Sequence, residues 1–206
     1  LVIAAPVSAS HIEAQELWGG KGNGHNYGLY VAGQPVGSAE TKTLFVSASS
    51  LGTGSQEYGI YVTDGGRFEV ASSGQLNLFG SGGGVEDAQG GSNCGVRLSN
   101  ASFIAHDGQG SARLQITGIG GQGKAGVHHG VHVCGLHVHF TNRAENNGLH
   151  FVDCRGGSSP FGGNCGVQIH DAPLCVSQAE LIFSKIFGGT GACENYGLSM
   201  GADVSA

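Results

Sequence analysis

A short alternation of apolar and outward-facing residues recurs six times along the chain. Its first copy is Asn26-Tyr-Gly-Leu-Tyr-Val31. The glycine of this phrase returns every 31 to 36 residues, at Gly28, Gly59, Gly95, Gly130, Gly166 and Gly197. The apolar residues that follow these glycines are Leu29, Ile60, Val96, Val131, Val167 and Leu198. A period of two residues with one apolar face predicts a β-strand, which is repeated here once in every unit.

Two further apolar segments complete each repeat. Turn-forming residues follow the first strand, and a second alternation comes next, as in Phe68 and Val70. A third apolar segment, such as 76–79, precedes a glycine-rich loop. The spacing of an amphipathic helix is lacking and glycine is frequent, so each repeat is predicted to contain three short strands and no helix.

Three strands in about 34 residues cannot bury an apolar face alone, so the repeats must pack on one another. Stacking equivalent strands in parallel gives a β-solenoid, whereas a β-propeller or β-prism is the alternative. Inward residues of similar size favour the solenoid, and so does a recurring Asn at 26, 93, 164 and 195, since stacked amides can hydrogen-bond along the axis. We predict an all-β fold, a right-handed parallel β-helix of about six coils of three short strands, as a single segment over 1–206.

The order of motifs over residues 5–206 resembles a known style of repeat. A glycine-rich loop, as in Gly19-Gly-Lys-Gly22, is followed by the Asn-Tyr-Gly phrase and by an apolar strand. This order resembles the right-handed β-helical repeats of large bacterial surface proteins, namely filamentous-haemagglutinin-like adhesins and autotransporter passengers. The resemblance implies secretion, an extracellular or cell-surface location, and an elongated stalk or fibre.

The ends of such a coil would expose unpaired strand edges. No segment has the pattern of a polar cap, so we expect neighbouring repeats of a longer chain, or copies added end to end, to continue the stack. The expected function is a structural, non-catalytic repeat segment of an extracellular fibre, stalk or adhesin. The alternatives are a glycan-binding surface module and, less favoured, a polysaccharide lyase or hydrolase.

Composition narrows the classes of partner. Lys and Arg total 9 against 15 Asp and Glu, a net charge of −6, which disfavours nucleic acid as a partner. The 40 glycines among 206 residues lack the three-residue period of collagen, and proline occurs only 4 times. No apolar run reaches the ~18 residues that a membrane-spanning helix needs.

Six cysteines would allow two or three disulfides in an oxidising compartment. Adjacent coils bring equivalent Cα atoms to ~4.8 Å, which is within disulfide reach. The expected pairs are Cys165 with Cys193 and Cys134 with Cys175, and buried free thiols are the alternative.

Five of the ten histidines lie between residues 128 and 139. The strand register predicts that His128, His132, His137 and His139 point outward. A His-x-His pair can chelate zinc or copper. Because the spacing assigns no third or fourth ligand, we predict a solvated polar face, with no metal and no cofactor.

Other surface chemistry is sparse. Tyr30 and Tyr61 are expected to stack outward on adjacent coils, where they could contact a sugar ring. Asn100 begins a glycosylation sequon on a predicted turn. Asp64 and Asp171 fall at equivalent turns three coils apart, ~14 Å by the coil spacing, which is too far for a pair of catalytic carboxylates. No catalytic residue is therefore expected.

Overall fold

The computed structural model describes residues 1–85 and 91–206, and every regular element in it is a β-strand. Over these residues no helix has the length and apolarity required to span a membrane. The strands are β1 (Val2–Ile3), β2 (His11–Trp18), β3 (Tyr27–Ala32), β4 (Pro35–Gly37), β5 (Thr43–Ser49), β6 (Tyr58–Thr63), β7 (Arg67–Val70), β8 (Gln75–Ser81), β9 (Val96–Ala105), β10 (Arg113–Ile119), β11 (Val131–Phe140), β12 (Gly148–Val152), β13 (Val167–Ile169), β14 (Leu174–Ser177), β15 (Glu180–Ser184), β16 (Leu198–Met200) and β17 (Val204–Ser205).

Each strand pairs in parallel with its counterpart in the next repeat. The first face follows the order β1-β3-β6-β9-β11-β13-β16, and β4, β7, β14 and β17 join the second halves of β9 and β11 to form the second face. The third face is a separate sheet, in the order β15-β12-β10-β8-β5-β2. This stacking confirms a parallel β-solenoid of about five turns, and it excludes the propeller and prism, whose strands are antiparallel.

The six repeat glycines lie one above the next. The N–H of Ile60 donates to the Gly95 carbonyl at 3.0 Å, and the same bond recurs between Val96 and Gly130. Here the first face approaches the end of the third face. A Cβ on Gly95 would lie 2.4 Å from the Ile119 nitrogen and 2.5 Å from the Gly80 oxygen, so no larger residue fits without moving backbone.

Apolar side chains from all three faces fill the interior. The residues after the repeat glycines form one ladder, in which Leu29, Ile60, Val96, Val131 and Val167 are buried and Leu198 is partly buried in the last coil. Aromatic rings also follow one another along this axis: Phe68 and Phe103 meet edge to face with centroids 5.8 Å apart, and Phe151 and Phe183 are stacked with centroids 5.1 Å apart. The core is continuous through the rod.

The corner between the first and second faces contains a left-handed residue at the same position in five successive coils, followed by a second one, Gly65, in the coil of Asp64. These corner residues are Gly33, Asp64, Asn100, Gly135 and Asp171, with φ between 51° and 98°. Asn and Asp tolerate this conformation better than most residues, because their short polar side chains bond locally. Asn100 is exposed at this corner, within the bent strand β9.

A ladder of polar residues lies two positions before the repeat glycines in the sequence and runs beside them along the axis. It consists of Asn26, Glu57, Asn93, His128, Asn164 and Asn195. A backbone N–H of one coil donates to the side chain of the next: Glu57 to Asn93 Oδ1 at 3.1 Å, and His128 to Asn164 Oδ1 at 2.9 Å. The predicted asparagine ladder is confirmed, with Glu57 and His128 occupying the intervening rungs.

Candidate functional site

One outward-facing column on the first face carries most of the chemically distinctive side chains. The strand register stacks Tyr30, Tyr61, Arg97, His132, Gln168 and Ser199 in that order. We call this set the outer column. Along its length the side chains change from two tyrosines, through one arginine and one histidine, to glutamine and serine.

At its first end the outer column forms a tyrosine cluster, defined here as Tyr27, Tyr30, Tyr58 and Tyr61. Tyr27 stacks on Tyr58 with centroids 5.4 Å apart, and Tyr30 lies 5.5 Å from Tyr61. Tyr58 is buried, and this desolvation raises its pKa well above the ordinary value. Tyr30 and Tyr61 are each half-buried, and their ring planes are inclined by 49°, so the two rings do not form one flat platform.

Arg97 connects the tyrosine cluster to the histidines. Its Nη1 donates to the Tyr58 hydroxyl at 3.2 Å, and its guanidinium lies 5.5 Å from the centre of that ring. The same nitrogen is 3.5 Å from His132 Nδ1. A cation here favours a neutral imidazole at His132.

The next coil brings three potential ligands together. His132 Nε2 lies 3.2 Å from Cys134 Sγ. One ligand atom from each of His132, Cys134 and Asp171 lies within 4.8 Å of the others. We call these three residues the His–Cys–Asp cluster. Asp171 lies in the next coil, at the corner between β13 and β14, and this corner stacks on the one that contains Gly135.

Protonation in the cluster is set by burial. Burial, reinforced by Arg97, lowers the pKa of His132 to about 4, and burial raises the pKa of the Cys134 thiol. Both groups are therefore neutral near pH 7. Asp171 is largely exposed, and its Oδ1 is 2.5 Å from His170 Nδ1. The arrangement offers nitrogen, sulfur and oxygen, the ligand set that suits zinc.

Sequence analysis named all three residues in separate contexts: His132 among the outward histidines, Cys134 as a disulfide candidate and Asp171 as a turn residue. It did not bring them together. The signal lies in matching turns: Cys134-Gly135 and His170-Asp171 occupy corresponding corners of adjacent coils. Recognising the contact requires the register across coils, because 37 positions separate Cys134 from Asp171.

The other histidines divide between interior and surface. His137 and His139 point outward as predicted, and both are exposed. His128 was expected outward and this was wrong, because it fills a fully buried rung of the polar ladder. His129 is also buried, and desolvation lowers its pKa to about 3. Among the described residues, the Nε2 atoms of His128 and His129 are buried without a hydrogen-bond partner.

The disulfide expectation is wrong, since all six cysteines are free thiols. Cys193 does not lie over Cys165: the N–H of Gly163 donates to the Cys193 carbonyl at 2.9 Å, and the N–H of Gly166 donates to Tyr196. Likewise Cys175 pairs with His137, and Cys134 pairs with Ser99. Loops of unequal length place each expected pair out of register by three residues.

Two surface pockets bear on the alternative functions. A pocket of 340 Å³ beside the tyrosine cluster is lined by Leu1, Val2, Gly20, His25, Asn26, Tyr27 and Tyr30. A pocket of 520 Å³ lies among the glycine loops around Arg155, Ser158 and Phe187, and its lining of described residues includes no carboxylate. Asp64 and Asp171 sit at the same corner with Asn100 and Gly135 between them, as the sequence predicted.

Comparison with known proteins gives no assignment. No family model matches the chain, and neither the curated proteins nor the solved structures contain a significant match to it.

Proposed function

We propose that this chain is a structural, non-catalytic segment that gives length to an extracellular fibre, stalk or adhesin. The observation that carries the proposal is that both end coils lie open. Met200 stacks on Ile169, which is fully buried, yet Met200 itself is 58% exposed. At the other end Ile12 stacks on the buried Leu44 and is only half-buried, while Trp18 is 58% exposed.

The open ends leave strands that have a hydrogen-bonding partner on one side only. Within the described residues, β2 pairs only with β5, β15 only with β12, and β16 only with β13. Each leaves a row of unpaired N–H and C=O groups, which is a template for another parallel strand. Neighbouring repeats of a longer chain, or a second copy added end to end, would satisfy these groups. The extracellular location rests on the resemblance of the repeats alone.

Assembly of the chain at micromolar concentration tests this proposal. We expect electron microscopy and light scattering to show rods that lengthen with concentration. The pair Leu198→Lys and Met200→Lys places charge on one open end and should give short particles. A matched control, His139→Lys on the exposed lateral face, should still assemble. A monomer whose end-coil amides resist hydrogen exchange as well as the central ones would contradict the proposal.

A glycan-binding surface module is the second candidate, and the pocket beside the tyrosine cluster favours it. Tyr27 and Tyr30 are stacked at 5.5 Å on its wall, and aromatic faces bind the apolar faces of sugar rings. If the chain binds a glycan here, Tyr30→Ala should abolish the binding. Tyr196→Ala, at the opposite end of the solenoid, should leave it unchanged. Binding that survives Tyr30→Ala would remove this candidate.

A further inference from the structure

We propose that His132, Cys134 and Asp171 bind one Zn²⁺-class ion, through His132 Nε2, Cys134 Sγ and a carboxylate oxygen of Asp171. This site is independent of the structural role proposed above. It uses side chains on the lateral surface, whereas assembly uses the open ends.

The strand geometry sets up the three ligands without a large rearrangement. His132 and Cys134 are two residues apart in β11, so their side chains leave the same face of the strand. Their ligand atoms are 3.2 Å apart, and the Asp171 oxygen completes a set within 4.8 Å. Zinc bonds of about 2.0 to 2.3 Å in tetrahedral geometry place neighbouring ligand atoms at similar separations.

The chemistry of the three ligands selects the ion. A thiolate and an imidazole favour zinc and other borderline or soft metals, whereas calcium and magnesium favour oxygen. Three protein ligands leave a fourth tetrahedral position for water. As the zinc–sulfur bond forms, the Cys134 thiol releases its proton to solvent, so no oxidant or reductant is needed.

Neighbouring groups both assist and oppose binding. His170 Nδ1 contacts Asp171 Oδ1 and so helps to orient the carboxylate. Arg97 opposes it, since its Nη1 is 3.5 Å from His132 Nδ1. Binding requires Arg97 to release this long contact and keep its 3.2 Å bond to the Tyr58 hydroxyl. The Asp171 carboxylate and the Cys134 thiolate offset the remaining repulsion of the guanidinium.

Titration with Co²⁺ followed by competition with Zn²⁺ tests the site directly, on the purified chain kept under reducing conditions. We expect one ion per chain and a sulfur-to-cobalt charge-transfer band, which requires a bound thiolate. Cys134→Ser should abolish the band and weaken binding by at least about 100-fold, and Asp171→Asn by about tenfold. Cys175→Ser, which removes the half-buried thiol of the second face, should change neither.

Two results would overturn the proposal. One is cobalt binding without a charge-transfer band, which would place the ion on other groups, such as the exposed His137 and His139. The other is a band that persists in Cys134→Ser. Asp171→Asn keeps the test decisive if Cys134→Ser fails to fold, because Asp171 is 67% exposed and its replacement disturbs no packing. Unchanged affinity in folded Asp171→Asn would remove the carboxylate from the site.

Discussion

The apolar ladder that begins at Leu29 and the polar ladder that begins at Asn26 run side by side along the solenoid and are held in different ways. In the apolar ladder, rungs of Leu, Ile and Val follow one another with no directed bond between side chains. In the polar ladder, the rungs from Asn93 onward each accept a hydrogen bond from the backbone N–H of the preceding rung, as Asn164 does from His128 at 2.9 Å. Glu57 instead accepts one from the side chain of Asn26. Both are buried in the central coils.

The difference teaches which ladder fixes the register of the coils. Apolar contact depends on area and shape and is tolerant of modest changes in volume. Buried polar groups must each find a partner, and one left unpaired costs about 1 to 3 kcal/mol. A slip of one residue would therefore cost the polar ladder more than the apolar one. We infer that the polar ladder specifies how successive coils align, and that the apolar ladder supplies most of the driving force for folding.

The largest effect is expected where the two ladders meet, at the repeat glycines. Gly95→Ala would place a Cβ 2.4 Å from Ile119 N and 2.7 Å from Gly130 O, both backbone atoms. Since neither can move without breaking the stack, unfolding free energy should fall by more than about 4 kcal/mol. Urea unfolding followed by circular dichroism measures this.

The matched control for that substitution is Gly24→Ala, where the nearest atom to the new Cβ is Ser55 O at 3.4 Å. It should change stability by less than about 1 kcal/mol. Equal losses in the two variants would show that the close approach at the glycine column is not what demands glycine.

The second-largest effect is expected from breaking a central rung of the polar ladder. Asn164→Leu keeps the branching of the side chain but removes the acceptor of the His128 N–H and the donor to Thr190 O, the latter at 2.7 Å. The loss should be up to about 3 kcal/mol, because the His128 N–H stays buried without an acceptor, whereas Thr190 O keeps the Ser159 N–H at 3.1 Å. Thermal and urea unfolding of the purified variant measure it.

A terminal rung provides the comparison. Asn195→Leu removes the same kind of side chain in the half-exposed last coil, where water can replace its bonds, and should cost under about 1 kcal/mol. If the central and terminal variants lose the same stability, then burial does not determine how much a rung of the polar ladder contributes to the free energy of unfolding.

The fold was accessible from sequence because its signal is repeated. A single Asn-Tyr-Gly phrase is weak evidence, but recurrence at Gly28 through Gly197 predicts stacking directly, and the structure has this stacking. Contacts that depend on side chains from separate coils were less accessible. The burial of His128 was missed because it replaces Asn in a ladder, and a period-two pattern does not distinguish a rung from an outward residue.

The cysteine pairs illustrate the same limit. Matching them needed the register of loops whose lengths vary from repeat to repeat. An offset of three residues moves Cys193 beside Gly163 rather than Cys165. Loop length carries no hydrophobic pattern, so local sequence could not supply this offset. Conversely, the proximity of Asp171 to Cys134 follows from the alignment of two strongly patterned strands, and it is recoverable once those strands are aligned.

The third prediction uses His128, the titratable imidazole of the polar ladder. Desolvation lowers its pKa below the ordinary 6.5, so below pH 6.5 the unfolded chain binds a proton that the folded chain does not. Stability present above pH 6.5 is therefore lost as the pH falls toward the folded pKa, by up to about 1.4 kcal/mol per pH unit for one group. His129 and His132 are shifted in the same direction and add to the slope.

Replacing His128 with Asn, the residue found on the neighbouring rungs, isolates the contribution of the imidazole to the pH dependence of stability. His128→Asn retains an acceptor for the Asn93 N–H, now 3.3 Å from the imidazole Nδ1, and should leave stability at pH 7.5 unreduced. The loss of stability between pH 7.5 and 5 should shrink by up to about 2 kcal/mol. Urea unfolding at both pH values decides this, and an unchanged difference would assign the acid sensitivity to other groups.

The smallest effect is expected from a conservative change in the apolar ladder. Ile60→Val removes one methyl group at a fully buried rung, and such changes typically cost about 0.5 to 1.5 kcal/mol. Ile12→Val makes the same change in the half-buried first coil and should cost less, because the methyl group there is partly hydrated already. Urea unfolding of both variants measures the two costs.

A loss at Ile60 as large as that of Asn164→Leu would mean that close packing fixes the register as strictly as the polar ladder does. A loss near 1 kcal/mol, with the slope of free energy against urea unchanged, would show that the apolar rungs exchange without altering the stack.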